Sequence, residues 1–200
     1  MATAVILLRG AGWPPIAALT ACAGAVGAGG VALIDDGIGQ ALLTTAFALL
    51  AAASAFTLEE ASHSIVDVTP MPPVEQTAIR AIALAVPLGA GLALLVAMRL
   101  ATTTLSMPAV GLALAGNLLL GFAFAAAARV RHGEPGVRAS SATLLVLILP
   151  LMYGPLARLI HTFPRAATAT GGVSPTTSWW LAGGASLITI MIAARRNRVT

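Results

Sequence analysis

Six long apolar stretches are the feature of this sequence that most constrains its fold. They occupy residues 13–34, 38–57, 78–98, 107–128, 140–160 and 178–194 of the 200-residue chain. A helix needs about 20 such residues to cross the hydrocarbon core of a bilayer. Charged residues make up only 9% of the chain, and a soluble protein of this size could not bury so much apolar surface. The sequence therefore predicts an all-α, polytopic membrane protein, a six-transmembrane-helix bundle forming a single domain (1–200).

Two of the connections between these stretches are short and predict helical hairpins. Asp35, Asp36 and Gly37 separate the first stretch from the second, and the polar link ATTTLS precedes Met107 at the start of the fourth. Connections of this length place consecutive elements side by side. We expect spans one and two, and likewise spans three and four, to pack as antiparallel pairs.

The arginine distribution predicts the orientation of the chain. All eleven basic residues are Arg, and in a six-span arrangement only Arg99, Arg158 and Arg165 lie on or near one side. The other eight lie on the opposite side, which the enrichment of Arg in cytoplasmic loops identifies as the cytoplasm. We expect a multi-pass protein of the cell (plasma) membrane with both termini cytoplasmic. Because topology accounts for the positive charge, we expect no nucleic-acid partner.

Residues 58–77, between the second and third spans, carry a pattern of their own. The run from Thr57 to Glu60 matches a capping box, which predicts that a new helix starts there. One side of this helix is polar and mostly acidic, formed by Glu59, Glu60, His63 and Asp67. The prolines that follow from Pro70 onward cannot continue a helix. The segment therefore predicts a short amphipathic cytoplasmic helix between spans two and three.

This helix has two interpretations, contact with membrane lipids or docking on another protein. Helices that bind anionic lipid at the membrane surface are rich in Lys and Arg. The acidic side of this helix would be repelled by such lipid and attracted by a basic protein surface. Its charge therefore favours docking, while the lipid interpretation stays open.

The segment LEEASHSIVDVTPMPPVEQTAIRAIAL resembles the cytoplasmic loop of small ABC-2-type transporter permeases of actinobacteria. The shared features are an acidic pair, a T-P-x-P strap and an Arg that opens the third span, here Glu59, Glu60, Thr69, Pro70, Pro72 and Arg80. The resemblance implies six spans, cytoplasmic termini and a coupling helix that docks on a separate ATPase subunit. We also expect a second permease chain, identical or similar, as a partner.

The sequence contains no recognisable catalytic motif, so we expect that this chain is not an enzyme. Without any Lys it cannot contain the P-loop, whose Lys contacts the phosphates of ATP. ATP and Mg would therefore be bound by the partner, with no cofactor in this chain. His63, His132 and His161 fall in loops on opposite sides, so we expect no metal site. Asp35 and Asp36 lack the further carboxylates at helical spacing that a metal-dependent lipid-phosphate transferase would need.

Three polar residues inside the spans form a possible pathway: Gln40, Asn117 and Tyr153. Polar groups in spans usually face other helices, either as structural hydrogen bonds or as the lining of a pathway. Pro150, Gly154 and Pro155 in the fifth span form a possible hinge, because each proline removes a backbone hydrogen bond. A static kink is the alternative.

These patterns lead to a functional hypothesis with competitors. We expect the permease subunit of an ABC transporter, an exporter, that docks a separate ATPase through residues 58–77. The alternative is a non-transporting membrane anchor or assembly subunit of a larger complex, which would explain why the spans contain few polar groups. An intramembrane enzyme or cofactor protein is a third class, which the residue inventory disfavours.

Overall fold

The computed structural model describes residues 13–58, 81–102, 105–129 and 135–152, together with 183–186, 188–189 and 192. Within these residues all regular structure is helical. The α-helices are α1 (Trp13–Ala32), α2 (Gly37–Ala55), α3 (Ala85–Ala101), α4 (Met107–Arg129) and α5 (Pro135–Met152). A 3₁₀ helix, Phe56–Leu58, extends α2, and another, Ile82–Leu84, precedes α3. Residues 183–186 and 188–189 are also helical.

Four of the described helical stretches are long and apolar enough to cross a membrane. They are Trp13–Ala32, Gly37–Leu58, Ile82–Ala101 and Met107–Ala128. In α5 the apolar part is shorter, Gly136–Leu149. The structure therefore agrees with a membrane-embedded helical bundle, and the count of six spans stays a prediction.

The first two helices form the predicted hairpin around a tight turn. Leu33 accepts a hydrogen bond from the Asp36 amide at 3.0 Å, and Asp36 accepts one from the Gln40 amide at 3.3 Å. A Cβ placed on Gly39 would overlap the Leu33 carbonyl oxygen, and one on Gly30 would lie 3.0 Å from the Gly39 carbonyl oxygen. The hairpin therefore closes backbone against backbone.

Helix α2 is the centre of the described bundle and contacts α1, α3, α4 and α5. From residue 46 to residue 58, every residue except Leu49 is buried. A helix that is apolar on all sides is typical of such an enclosed position. Most of the enclosed side chains are small, namely Ala46, Ala48, Ala51, Ala52, Ala53, Ser54 and Ala55. Small residues allow neighbouring helices to approach closely.

The spans differ strongly in how much of their surface the protein covers. We compare the share of the most apolar 18-residue stretch of each span that is buried inside the protein. This share is 78% in α2 and 61% in α4, against 28% in α3 and 22% in α1. The outer surface of α3 carries large apolar side chains, among them Val86, Leu88, Leu92, Val96 and Leu100. Uncovered apolar surface of this extent is typical of a membrane or interaction face.

The helix ends alternate between the two ends of the bundle. Ile16, Phe56 and Ala83 share one apolar cluster, so the start of α1, the end of α2 and the residues before α3 lie at one end of the bundle, and the α1–α2 turn lies at the other. Charged residues of the described part lie only near helix ends, at Asp35, Asp36, Arg99, Arg129 and Arg138. The middle of the bundle is thus free of charge, as a hydrocarbon environment requires.

Helix α5 begins earlier than the sequence predicted. The fifth span was expected from residue 140, whereas the helix starts at Pro135 and includes Arg138 in its first turn. Proline suits the first position of a helix because its fixed φ is already helical and its missing N–H would have had no partner there. The connector between α4 and α5 is correspondingly shorter.

Candidate functional site

The predicted docking segment leaves and re-enters the bundle at one place. Residues 59–80 lie outside the described residues, and with them the predicted docking residues Glu59, Glu60, His63, Asp67, Thr69, Pro70, Pro72 and Arg80. The residues at both ends of the segment are described. Leu58 is buried in a cluster with Phe122 and Ala139, and Ala81 and Leu84 pack against that same cluster. The segment therefore begins and ends at the bundle end opposite the Asp35–Asp36 turn.

Thr57 differs from its predicted role as the N-terminal cap of a new helix. It lies in the 3₁₀ helix that extends α2, and it is fully buried. Its Oγ1 donates to the Ser54 carbonyl at 2.7 Å. A cap residue has non-helical backbone angles and accepts from an amide ahead of it, whereas Thr57 bonds the turn behind it. The second helix thus extends to Leu58.

The candidate pathway residues are not brought together. Asn117 is buried on α4, and its Nδ2 donates to the Ala113 carbonyl of its own helix at 2.8 Å. Gln40 is partly buried in the first turn of α2, fourteen residues before Ser54, which contacts Leu118. That spacing corresponds to roughly 20 Å of helical rise. Tyr153, the third residue, lies outside the described residues.

A close helix crossing in the described bundle joins α2 to α4, and sequence reasoning missed it. The Ser54 Oγ lies 2.9 Å from the Leu118 carbonyl oxygen and 2.7 Å from the Ala51 carbonyl oxygen of its own helix. A Cβ on Gly121 would overlap the Ala51 carbonyl oxygen and the Ser54 hydroxyl. The small residues Ala51 and Ser54 and the glycine at 121 were the available signal, but nothing local in the sequence pairs them.

Other hydroxyls in the spans bond back to their own helices, as expected for Ser and Thr in apolar helices. Thr44 donates to the Gln40 carbonyl at 2.9 Å, and Thr143 donates to the Ala139 carbonyl at 2.7 Å. Thr20 is different, since its buried Oγ1 has no hydrogen-bond partner among the residues that the structure describes. The described spans therefore offer few polar groups to a passing solute.

The hinge residues of the fifth span are described only in part. Helix α5 continues through Pro150 to Met152, so the α-helix does not end at this proline. Gly154 and Pro155 lie outside the described residues. Bending at this span stays a prediction.

Neither the metal-ligand types in the described residues nor comparison with known proteins adds to this picture. Among the residues that the structure describes, no three of His, Cys, Asp and Glu come close enough to hold a metal ion. Cys22 is a free, exposed thiol on α1. Comparison of the chain with protein-family models, with curated proteins and with solved structures gave no match in any of the three.

Proposed function

We propose that this chain is the permease (transmembrane) subunit of an ABC transporter, an exporter, and that it docks a separate ATPase subunit through residues 58–77. The observation that carries the proposal is the shared anchoring of the segment 59–80, whose flanking residues Leu58 and Ala81 meet at one cluster. A segment held at both ends on one face of a bundle is well placed to present a short helix to a partner. Its resemblance to the permease loop supports the same assignment.

Charge gives the partner surface its chemistry. Residues 59–80 contain the carboxylates of Glu59, Glu60, Asp67 and Glu75 against the single cation Arg80. A negative segment in a chain of net charge +4 selects a basic partner surface by electrostatic complementarity. The ATPase surface that receives it should accordingly be rich in Arg or Lys.

The substrate route would lie between two copies or two similar chains, with this subunit supplying one wall. The enclosed half of α2 is packed with alanine, and the Asn117 side chain bonds its own helix. A hydrophilic route through that packing would have to displace backbone-level contacts at Gly121. An interface with a second permease chain carries no such cost.

A non-transporting membrane anchor or assembly subunit is the second candidate, and one observation favours it. Hydroxyl groups along the described spans, such as those of Thr44, Thr45 and Thr143, bond carbonyls of their own helices. An anchor needs a stable bundle and a docking loop but no polar route. The two candidates share the docked partner and differ in whether substrate stimulates ATP hydrolysis.

The test reverses the charge of an acidic pair in the docking segment, and the control reverses an acidic pair in the α1–α2 turn. Glu59→Arg with Glu60→Arg should release an ABC ATPase encoded beside this chain, measured by co-purification from membranes. Both charges must change because one exposed ion pair contributes under about 1 kcal/mol. The matched control is Asp35→Arg with Asp36→Arg, an exposed pair at the opposite end, which should leave co-purification intact.

The outcomes separate the candidates. Retention of the ATPase by the Glu59 and Glu60 variant would contradict docking through this segment. Loss of the ATPase from that variant alone would support docking. If the wild-type complex then hydrolyses ATP without stimulation by any exported substrate while still assembling, the anchor is the better assignment.

A further inference from the structure

Helices α1, α2 and α4 are joined through their backbones. At the hairpin, Gly39 lies against the Leu33 carbonyl, and at the α2–α4 crossing Gly121 lies against the Ala51 carbonyl, with its Cβ position 2.8 Å from the Ala51 carbonyl carbon. Backbone atoms, unlike side-chain atoms, cannot move aside by a change of rotamer. The α1–α2 pair also meets within its helices, where a Cβ on Gly30 would lie 3.0 Å from the Gly39 carbonyl oxygen. Displacing this contact or the Gly121 contact requires separating whole helices, so these three helices should move as one body.

Helix α3 is held in a different way, through the tips of leucine side chains. A Cβ on Gly27 of α1 would lie 2.6 Å from a Leu94 methyl carbon, and a Cβ on Gly91 of α3 would lie 2.6 Å from a Leu114 methyl carbon. Each leucine tip can change its χ angles among staggered positions. The leucine side chains can therefore adjust to a small displacement of α3 and stay in contact with it.

The coverage of α3 fits a loosely held helix. Its buried residues form one narrow stripe, consisting of Pro87, Gly91, Leu94 and Met98. The opposite face, from Val86 to Val96, is exposed and apolar. Although α1 is covered even less than α3, the Gly30 and Gly39 contact fixes it to α2. Low coverage and yielding contacts thus coincide in α3 alone among the four long described spans.

We infer that α3 is the movable span of this bundle, shifting along α1 and α4 while α1, α2 and α4 stay a rigid body. Sliding of packed helices over one another is an established form of conformational change. In the structure a 3₁₀ turn, Ile82–Leu84, immediately precedes α3, a geometry found at helix ends and hinges. The inference concerns the bundle itself and does not depend on the proposed transport function.

The test compares two distances measured from one reference position on α2. In a Cys22→Ala background, spin labels are attached to Ile38→Cys with Val86→Cys for α3, and to Ile38→Cys with Ala115→Cys for α4. All three labelled residues are exposed, so the labels avoid the packed interfaces. Double electron–electron resonance spectroscopy in proteoliposomes then gives the distance distribution of each pair of spin labels. Leu92→Cys in place of Val86→Cys repeats the test at a second exposed position on α3.

We expect a single narrow distribution for the α2–α4 pair and a distribution that is broader, or split, by up to about one helical turn of 5 Å for both α2–α3 pairs. Equally narrow distributions for all pairs would overturn the inference. Equal broadening of the α2–α4 pair would also overturn it, because α4 would then not belong to the rigid body.

Discussion

The crossing of α2 with α4 and the packing of α3 use the same residue type for different purposes. At the crossing, Gly121 makes room for the backbone and the Ser54 hydroxyl of another helix. Beside α3, Gly27 and Gly91 each make room for the end of a leucine side chain. In the sequence these three glycines look alike, since each lies in an apolar helix. Only Gly121 faces backbone that cannot move aside for a Cβ. A glycine's importance in this bundle therefore depends on whether backbone or side chain faces it.

The largest effect is expected for Gly121→Ala. The added methyl would overlap the Ala51 carbonyl, so α2 and α4 would separate and the Ser54 contact with Leu118 would be lost. We expect destabilisation of about 2–4 kcal/mol, toward the upper range for overpacked cores, measured by unfolding in mixed detergent micelles. Gly111→Ala on the same helix is the matched control, since a Cβ there meets nothing within 4 Å. Equal stability of the two variants would break the comparison.

A somewhat smaller effect is expected for Gly39→Ala, at the other backbone contact. The methyl would press on the Leu33 carbonyl, but the contact lies beside an exposed turn that can open. We expect a loss of about 1–3 kcal/mol in the same unfolding measurement. Gly37→Ala, two residues away in open space, should change stability little. A Gly39→Ala protein as stable as Gly37→Ala would show that the hairpin is not closed by its backbone.

Removing the hydroxyl at the crossing should have a modest effect. Ser54→Ala keeps the close approach of the helices and removes a hydroxyl that contacts both the Leu118 carbonyl and the Ala51 carbonyl of its own helix. Interhelical hydrogen bonds in membranes contribute about 0.5–1.5 kcal/mol, and we expect a loss within that range. Thr45→Ala is the control, because the exposed Thr45 hydroxyl bonds its own helix at Ala41. A Ser54→Ala loss no greater than that of Thr45→Ala would assign the crossing to shape alone.

The smallest effects are expected beside α3. Gly91→Ala and Gly27→Ala each ask only that a leucine tip rotate, at a cost of about 0.5–1 kcal/mol at most. The two variants should be measured singly and together by the same unfolding assay. A loss in either single variant that matches Gly121→Ala would remove the distinction between the two kinds of contact, and with it the basis for a movable α3.

Much of the helical framework could be predicted from hydropathy. The turn at Asp35–Gly37 and the start of α4 at Met107 lie where the apolar stretches are interrupted, because charge and polar links are excluded from the hydrocarbon core. The back-bonding of Ser and Thr was also expected, since it depends only on residues within one turn. The start of α5 at Pro135 was placed five residues too late, because hydropathy marks where the membrane begins and not where the helix begins.

The candidate site was less predictable, because it depends on which helices become neighbours. Gln40 and Asn117 look alike as polar residues in spans, yet they lie at different depths of the bundle. Ser54 and Gly121 are 67 residues apart and meet only through the packing of α2 against α4. Thr57 matched a cap by its neighbours Glu59 and Glu60, but burial of its hydroxyl beside Ser54 gave it the opposite role. The docking function of residues 58–77 stays a prediction.

The close approach at Gly121 also constrains how this chain can diverge over evolutionary time. The side chains at positions 51, 54 and 121 share one small volume, so a larger residue at any of them requires a smaller residue at another. Position 121 is already glycine and cannot become smaller. The outward positions of α3, in contrast, can exchange Leu, Ile and Val one at a time. Among homologues we expect small residues to persist at those three sites while the lipid-facing sequence of α3 drifts freely.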